Sequence, residues 1–377
     1  MTTASTTGAQ AATHSHTQDA ASLAALRRDF TTLRTERKLR HRDAAATLGV
    51  SEGEALAAFV GEHVVRLDAR FVELYEAIPL LGTVMTLTRN EAAVHEKIGQ
   101  FEKMSHDGQV GLALGSAIDL RIFYGKWASA FAVREASEQG GERKSLQFFD
   151  AQGTAITKLY LRADSDHAAF DALVTRHAAV PQAAGLTVVP MPAPAVGRED
   201  DEIDVADFRA AWDAMQDTHE FFGMLRKFGA GRLQALRLAG ESRARRLEDG
   251  ALRALFDDVA ASGLPIMVFV GNIGMIQIHT GPVANLVPMG PWLNVMDPDF
   301  NLHLRTDLVD SAWLVRKPTS DGVVSSVELF DERGETIAML FGARKPGAPE
   351  LAGWREALAR LAPARLAPAV GHDEVQA

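Results

Sequence analysis

LFDERGETI, residues 329–337, decides how this chain is read. Apolar, aromatic and β-branched residues flank the tetrapeptide DERG (331–334), which is the composition of a β-hairpin around a glycine-containing turn. The same pattern stands 181 residues earlier in FFDAQGTAI (148–156), where AQG (151–153) supplies the turn. The match continues outward in both directions. LGVSEGEAL (48–56) aligns with FGAGRLQAL (228–236) and Arg66-Leu67 with Arg246-Leu247 at an offset of 180, while Asn90 with Asn272, IDLRIF (118–123) with FNLHLR (300–305) and SAFAVRE (129–135) with SAWLVRK (311–317) align at 182. So small a drift over so long a run marks a duplication, with a period far beyond that of a solenoid. The expected halves are residues 21–178 and 205–362. Between them lies a linker, 179–204, rich in Ala, Pro and Val before an acidic REDDE run, and tails occupy 1–20 and 363–377.

Both halves run from helices to strands to a closing helix. Helical patterns cover about 21–48, 52–61 and 66–78 in the first half and 205–227, 231–245 and 249–262 in the second. Alternating strand patterns follow, as in MIQIHTG, SAWLVRKP and SVELFDERGETIAMLF. Consecutive antiparallel strands after helices predict an α+β fold of two tandem homologous halves, each a large antiparallel sheet with packed helices.

Composition narrows the chemistry. The chain has 377 residues, too many for one ordinary core, and 47% hydrophobic content. No run of about 18 apolar residues suggests a membrane span. There is no cysteine, which excludes disulfides, thiolate ligation, Fe–S clusters and cysteine nucleophiles. The first 20 residues lack an apolar signal-peptide core, so a cytoplasmic location is the expectation. His14 and His16 there read as solvated tail residues. A net charge of −10 without a long basic block argues against broad nucleic-acid binding.

The segment with the most chemistry is VADFRAAWDAMQDTHEFFGMLRKFGAGR (205–232). Spacings of four, three, four and three place Phe208, Trp212, Met215, His219 and Phe222 on one face of a single predicted helix, with Asp204 as N-cap and Gly229 and Gly231 ending it. An imidazole inside an aromatic and thioether stripe suits a metal held in a flat apolar ring, although such a histidine is more often an ordinary core residue. Cations gather near the late strand ends, Arg316-Lys317 and Arg344-Lys345, with Arg232 after the helix. Singly they read as surface charge; together they suit a greasy dianion such as a porphyrin with two propionates. MGPWLNV (289–295) carries a buried-looking Trp292, and His279 and His303 read as structural or solvent-facing. HExxH, GxSxG, P-loop and GxGxxG signatures are absent.

VFVGNIGMIQIHTGPV, PMGPWLNVMDPDFNLHLR, SAWLVRKPTSDG and ELFDERGETIAMLFG, with MTLTRNEAAVHEKIG and IDLRIFYGKW in the first half, closely resemble the bacterial cytoplasmic haem-utilisation family. Its members are haemin-degrading factors or haem-trafficking proteins of the HemS/ChuS/PhuS type. The resemblance spans about residues 25–360. It implies haem (iron protoporphyrin IX) as ligand, in a cleft between the second-half sheet and its helices. His219, in DTHEFF, takes the role of proximal iron ligand. Arg121 takes the opposite face, with Phe123 beside it. Arg232, Lys317 and Arg344 take the propionate contacts, and Met267 and Phe341 match wall positions. Met339 stands where some relatives have glutamine, and His95 belongs to a first-half motif. Arg121 and Glu135 occupy the repeat positions of His303 and Lys317. The implied role is binding and trafficking of haem in iron acquisition, with a haem importer on the cytoplasmic side, a haem oxygenase, or both, as partners. The alternative is an oxygenase that opens the ring and releases iron.

Overall fold

The computed structural model describes residues 20–136, 140–192, 197–345 and 347–361. The tail residues 1–19, with His14 and His16, and 363–377 lie outside them. In the first half, helices α1 (Ala20–Thr35), α2 (His41–Thr47), α3 (Glu52–Ala57), α4 (Phe71–Ala77) and α5 (His167–His177) accompany strands β1 (Val64–Leu67), β2 (Val84–Arg89), β3 (Ala93–Gly99), β4 (Lys103–Asp107), β5 (Val110–Leu114), β6 (Asp119–Phe123), β7 (Ser129–Ala136), β8 (Glu142–Phe149) and β9 (Ala155–Leu161). The second half repeats the order with α6 (Val205–Asp213), α7 (Glu220–Phe228), α8 (Arg232–Ala239), α9 (Ala251–Ser262) and α10 (Ala352–Ala359). Its strands are β10 (Ala244–Arg246), β11 (Ile266–Gly271), β12 (Met275–Gly281), β13 (Leu286–Met289), β14 (Trp292–Met296), β15 (Phe300–Arg305), β16 (Ser311–Thr319), β17 (Gly322–Phe330) and β18 (Thr336–Gly342).

The fold is α+β, with two nine-stranded antiparallel sheets, and each sheet draws on both halves. One runs β1-β7-β8-β9-β2-β3-β15-β14-β13, the other β10-β16-β17-β18-β11-β12-β6-β5-β4. Each half thus contributes six strands to one sheet and lends three to the other. The junctions are the β3–β15 ladder, with His95 opposite Leu302, and the β12–β6 ladder, with Ile276 opposite Arg121.

Two repeat-related asparagines tie the sheets together. Asn90 Nδ2 donates to the carbonyls of Gly271 and Ile337 at 3.1 and 2.8 Å, and its Oδ1 accepts from the N–H groups of Ala92 and Ala93. Asn272 does the mirror-image task, donating to Arg89 and Ile156 at 3.0 and 2.8 Å and accepting from Gly274 and Met275. The hairpin turns are also twins: Asp150 Oδ1 accepts from Gln152 and Thr154, Asp331 Oδ1 from Arg333 and Glu335.

The cores have diverged more. Phe71, Tyr75, Tyr124 and Trp127 interlock in the first half, with Tyr75–Trp127 and Tyr124–Trp127 ring centroids 5.1 and 5.3 Å apart. Their repeat positions in the second half hold Ala251, Leu255, Thr306 and Val309. There, beside Thr306 and Val309, lies a cavity of about 510 Å³.

Several predicted elements are corrected. The helix expected over 205–227 is two helices, broken at 214–219. The polar Gln216-Asp217-Thr218 run explains the break, because Asp217 Oδ1 accepts the His219 backbone N–H at 2.8 Å and offers that donor a partner outside a helical ladder. The single-face stripe therefore fails. Phe208, Trp212 and Met215 are buried, but His219 and Phe222 are exposed and Phe221 takes the inward place. Arg66-Leu67, read as the start of a helix, lie in β1, which pairs with β7, and Ala244-Arg245, read as the end of one, lie in β10, which pairs with β16. Gly240, at φ 85°, ends α8 well before residue 245. The 21–48 pattern breaks between α1 and α2, where Lys38 has φ 55°. Trp292 is half-buried rather than buried, with the Arg305 guanidinium 5.4 Å from its ring centroid.

Candidate functional site

Strand register puts five of the candidate residues on one face of the second sheet. Met267 lies opposite Phe341, Phe341 opposite Ser326, and Arg121 opposite Ile276. Side chains two apart on a strand share a face, which adds Phe123, Phe269, Ile278, Met339, Glu328 and, across the β16–β17 ladder, Lys317. Met267, Phe269, Ile276, Met339 and Phe341 are all half-buried: an apolar sheet face partly open to solvent. The Phe269 and Phe341 rings are 5.0 Å apart, centroid to centroid.

One end of that face is charged. Glu328, fully buried, accepts from Arg232 Nε and from Lys317 Nζ, each at 2.7 Å. Ser326 Oγ adds a bond at 3.0 Å, and Arg232 Nη2 contacts Met339 Sδ at 3.1 Å. Burial alone would raise the Glu328 pKa, but Arg232 and Lys317 outweigh it and hold the carboxyl well below its usual range. Burial lowers the Lys317 ammonium, against the pull of Glu328. The Phe221 ring covers both cations, 4.4 Å from Lys317 Nζ and 5.1 Å from Arg232 Cζ. Lys317 is therefore a buried cation with a resident partner, while Arg232 keeps 26% of its side chain exposed.

Phe221 also fixes the start of α7. Trp212 Nε1 donates to the Arg316 carbonyl at 2.9 Å, and the Ser320 N–H donates to the Gln216 carbonyl at 2.9 Å, which ties the α6–α7 connection to β16 and its turn. His219 is the residue before α7, with 91% of its side chain exposed. Its Nδ1 lies 2.5 Å from Asp217 Oδ1. The His219 backbone N–H and ring, with the Arg344 guanidinium, hold the Asp217 carboxyl below its usual range. Arg344 itself donates to Asp321 at 3.2 Å, and Arg121 bonds Asp119. Every candidate cation on this face thus has a carboxylate neighbour. Sequence reasoning missed those partners, Asp119, Asp217, Asp321 and Glu328, together with Phe221.

Three other histidines do different work. His279 is buried, stacked on Phe300 at 3.8 Å and 3°. Burial, then the Lys97 ammonium 3.3 Å from its Nδ1, pushes its pKa down to about 4. His303 bonds Asn294 at 2.7 Å. His95 is fully buried, and burial lowers its pKa. Among the described residues no group of three His, Asp or Glu could hold a metal ion.

The corresponding cluster of the first half has its charges inverted. Glu52, Glu135, Gln147 and Lys158 occupy the repeat positions of Arg232, Lys317, Glu328 and Met339. Lys158 bonds Glu52, and Glu135 accepts from His41 and Arg143, both at 2.8 Å. Two cations around one carboxylate have become two separate pairings, Lys158 with Glu52 and Glu135 with His41 and Arg143.

The residues on the second-half face fit a haem: an imidazole free at Nε2 among the described residues, an apolar wall and cations at its edge. Comparisons with known proteins agree in kind. The haemin-degrading HemS.ChuX domain matches residues 49–177 and 229–361. The hemin transport protein HmuS of Yersinia pestis is 38% identical over 321 residues, 85% of this chain and 92% of that protein. Holo-PhuS, a haem-binding protein of Pseudomonas aeruginosa, superposes with a TM-score of 0.89 at 49% identity, over 91% of this chain and 99% of that one. ChuS, a haem oxygenase of E. coli, does so with 0.80 at 36% identity, over 89% and 99%.

Proposed function

This chain belongs to the haemin-degrading HemS.ChuX family, and on that premise we propose that it binds haem on the second-half sheet face and carries it through the cytoplasm in iron acquisition. The observation that supports this best is the partly open apolar face of Met267, Phe269, Ile276, Met339 and Phe341, with an exposed His219 just ahead of the helix whose Phe221 covers the cations at the end of that face. A neutral imidazole is a good ligand for ferric iron, and the carboxylate on Nδ1 leaves Nε2 to bind it. A guanidinium such as that of Arg121 is a poor iron ligand, so the opposite face stays exchangeable, as hand-off requires. Phe123 and Met267 with Phe341 wall the ring. Arg232 and Arg344 are the cations for its propionates, and Lys317 shares the Glu328 carboxylate with Arg232. The source is a haem importer on the cytoplasmic side, and the recipient a haem-degrading enzyme.

Titration with hemin tests the reading. Wild-type protein should shift and sharpen the Soret band at a one-to-one ratio. His219→Ala should lose that shift and bind at least tenfold more weakly. An unchanged spectrum in the variant would remove His219 as ligand.

A further inference from the structure

The connection between α6 and α7 carries one arrangement that the iron-ligand role of His219 does not require. Asp217 Oδ1 takes two hydrogen bonds from the same residue: the His219 backbone N–H at 2.8 Å and the ring Nδ1 at 2.5 Å. A free imidazole on an exposed site samples several rotamers and both neutral tautomers. Here one oxygen holds backbone and ring together, so the ring has one orientation. A carboxylate oxygen has only lone pairs to offer, so the ring proton lies on Nδ1 and the Nε2 lone pair points away from Asp217. The connection is itself anchored through Gln216 to Ser320 and through Trp212 to Arg316, so the pair has a fixed base.

We infer that Asp217 is a positioning residue for the haem iron: it sets the tautomer of His219 and, through the charged hydrogen bond, makes the imidazole a stronger donor that favours ferric over ferrous iron. The inference rests on His219 being the ligand. A carboxylate on the far ring nitrogen raises the basicity of a ligating histidine, and a more basic ligand lowers the reduction potential of the iron it binds. A chain that holds its cargo ferric keeps it from binding oxygen on the way to its recipient, so this pair bears on carriage as against ring opening.

The test uses the full chain loaded with hemin. Asp217→Asn keeps an oxygen for the His219 backbone N–H and removes only the charge; Asp217→Glu restores the charge on a longer arm. Potentiometric titration with mediator dyes should show the midpoint of Asp217→Asn moved to more positive potential. Resonance Raman of the ferrous protein should show a lower iron–histidine stretching frequency. Hemin affinity should fall 10- to 100-fold, with the thermal midpoint of the ligand-free protein unchanged, and Asp217→Glu should recover part of each change. A midpoint and stretching frequency equal to wild type in Asp217→Asn, with His219→Ala losing its Soret shift, would overturn the role of Asp217 alone. If His219→Ala keeps the wild-type spectrum, the ligand assignment and this inference fall together.

Discussion

Glu328 shows how a single residue can organise a site it does not line. Two cations converge on it under one phenyl ring, and Arg232 of α8 and Phe221 of α7 thereby hold the helices down onto the sheet. Removing one partner of a buried ion cluster leaves the others uncompensated in a poor solvent for charge. Glu328→Gln should therefore lose about 3–5 kcal/mol of stability, read as a lower urea midpoint in the ligand-free protein; a loss under 1 kcal/mol would mean that Lys317 reaches solvent unaided. The cations of this cluster were legible in the sequence because Lys317 and Arg232 interrupt patterns that are otherwise apolar. Their carboxylates were legible to different degrees. Asp119 stands two residues from Arg121, a spacing that puts neighbours on one face of a strand, and Asp217 stands two residues from His219, within reach of its backbone N–H in a turn. Glu328 is 11 residues from Lys317 and 96 from Arg232, and only the folded register brings them together.

At the scale of elements, turn chemistry was the most readable layer. The Asp150 and Asp331 turns fall where DAQG and DERG place them, because each aspartate caps the backbone of its own loop and needs nothing distant. Helix boundaries were less readable. Apolar spacing from Phe208 to Phe222 passes straight through the break at 214–219, since periodicity does not register a side chain that competes for backbone donors. The asparagine pair lies between these cases: the repeat exposed Asn90 and Asn272 as equivalent, but not that each grips the opposite sheet. Asn272→Ala would strand two carbonyls, Arg89 and Ile156, and two N–H groups. A loss of about 2–4 kcal/mol is expected, seen in chemical denaturation with the secondary structure retained. Asn90→Ala should cost a similar amount, and a free substitution at either position would show that the staple is ornamental.

For the whole molecule, the duplication was visible in the chain and the interleaving was not. Alternation of apolar and polar residues identifies a strand and its buried face, whereas sheet partners are chosen through backbone bonds that leave little trace in side chains. Divergence between the halves follows the same division. The shared scaffold is kept by turns and staples, while the clusters on its faces have changed their charges, and an aromatic core in the first half is matched by aliphatic packing in the second, with a cavity of about 510 Å³ beside Thr306 and Val309.

Because each half lends β4–β6 or β13–β15 to its neighbour's sheet, covalent continuity between the halves is dispensable once folding is complete. A protease site placed in the 187–192 stretch should yield two fragments that co-elute on gel filtration and part only in denaturant; separation under native conditions would contradict the interleaving. The same geometry makes the chain a natural split protein. Two polypeptides made from separate messages should reassemble, and haem capture would report that they had met.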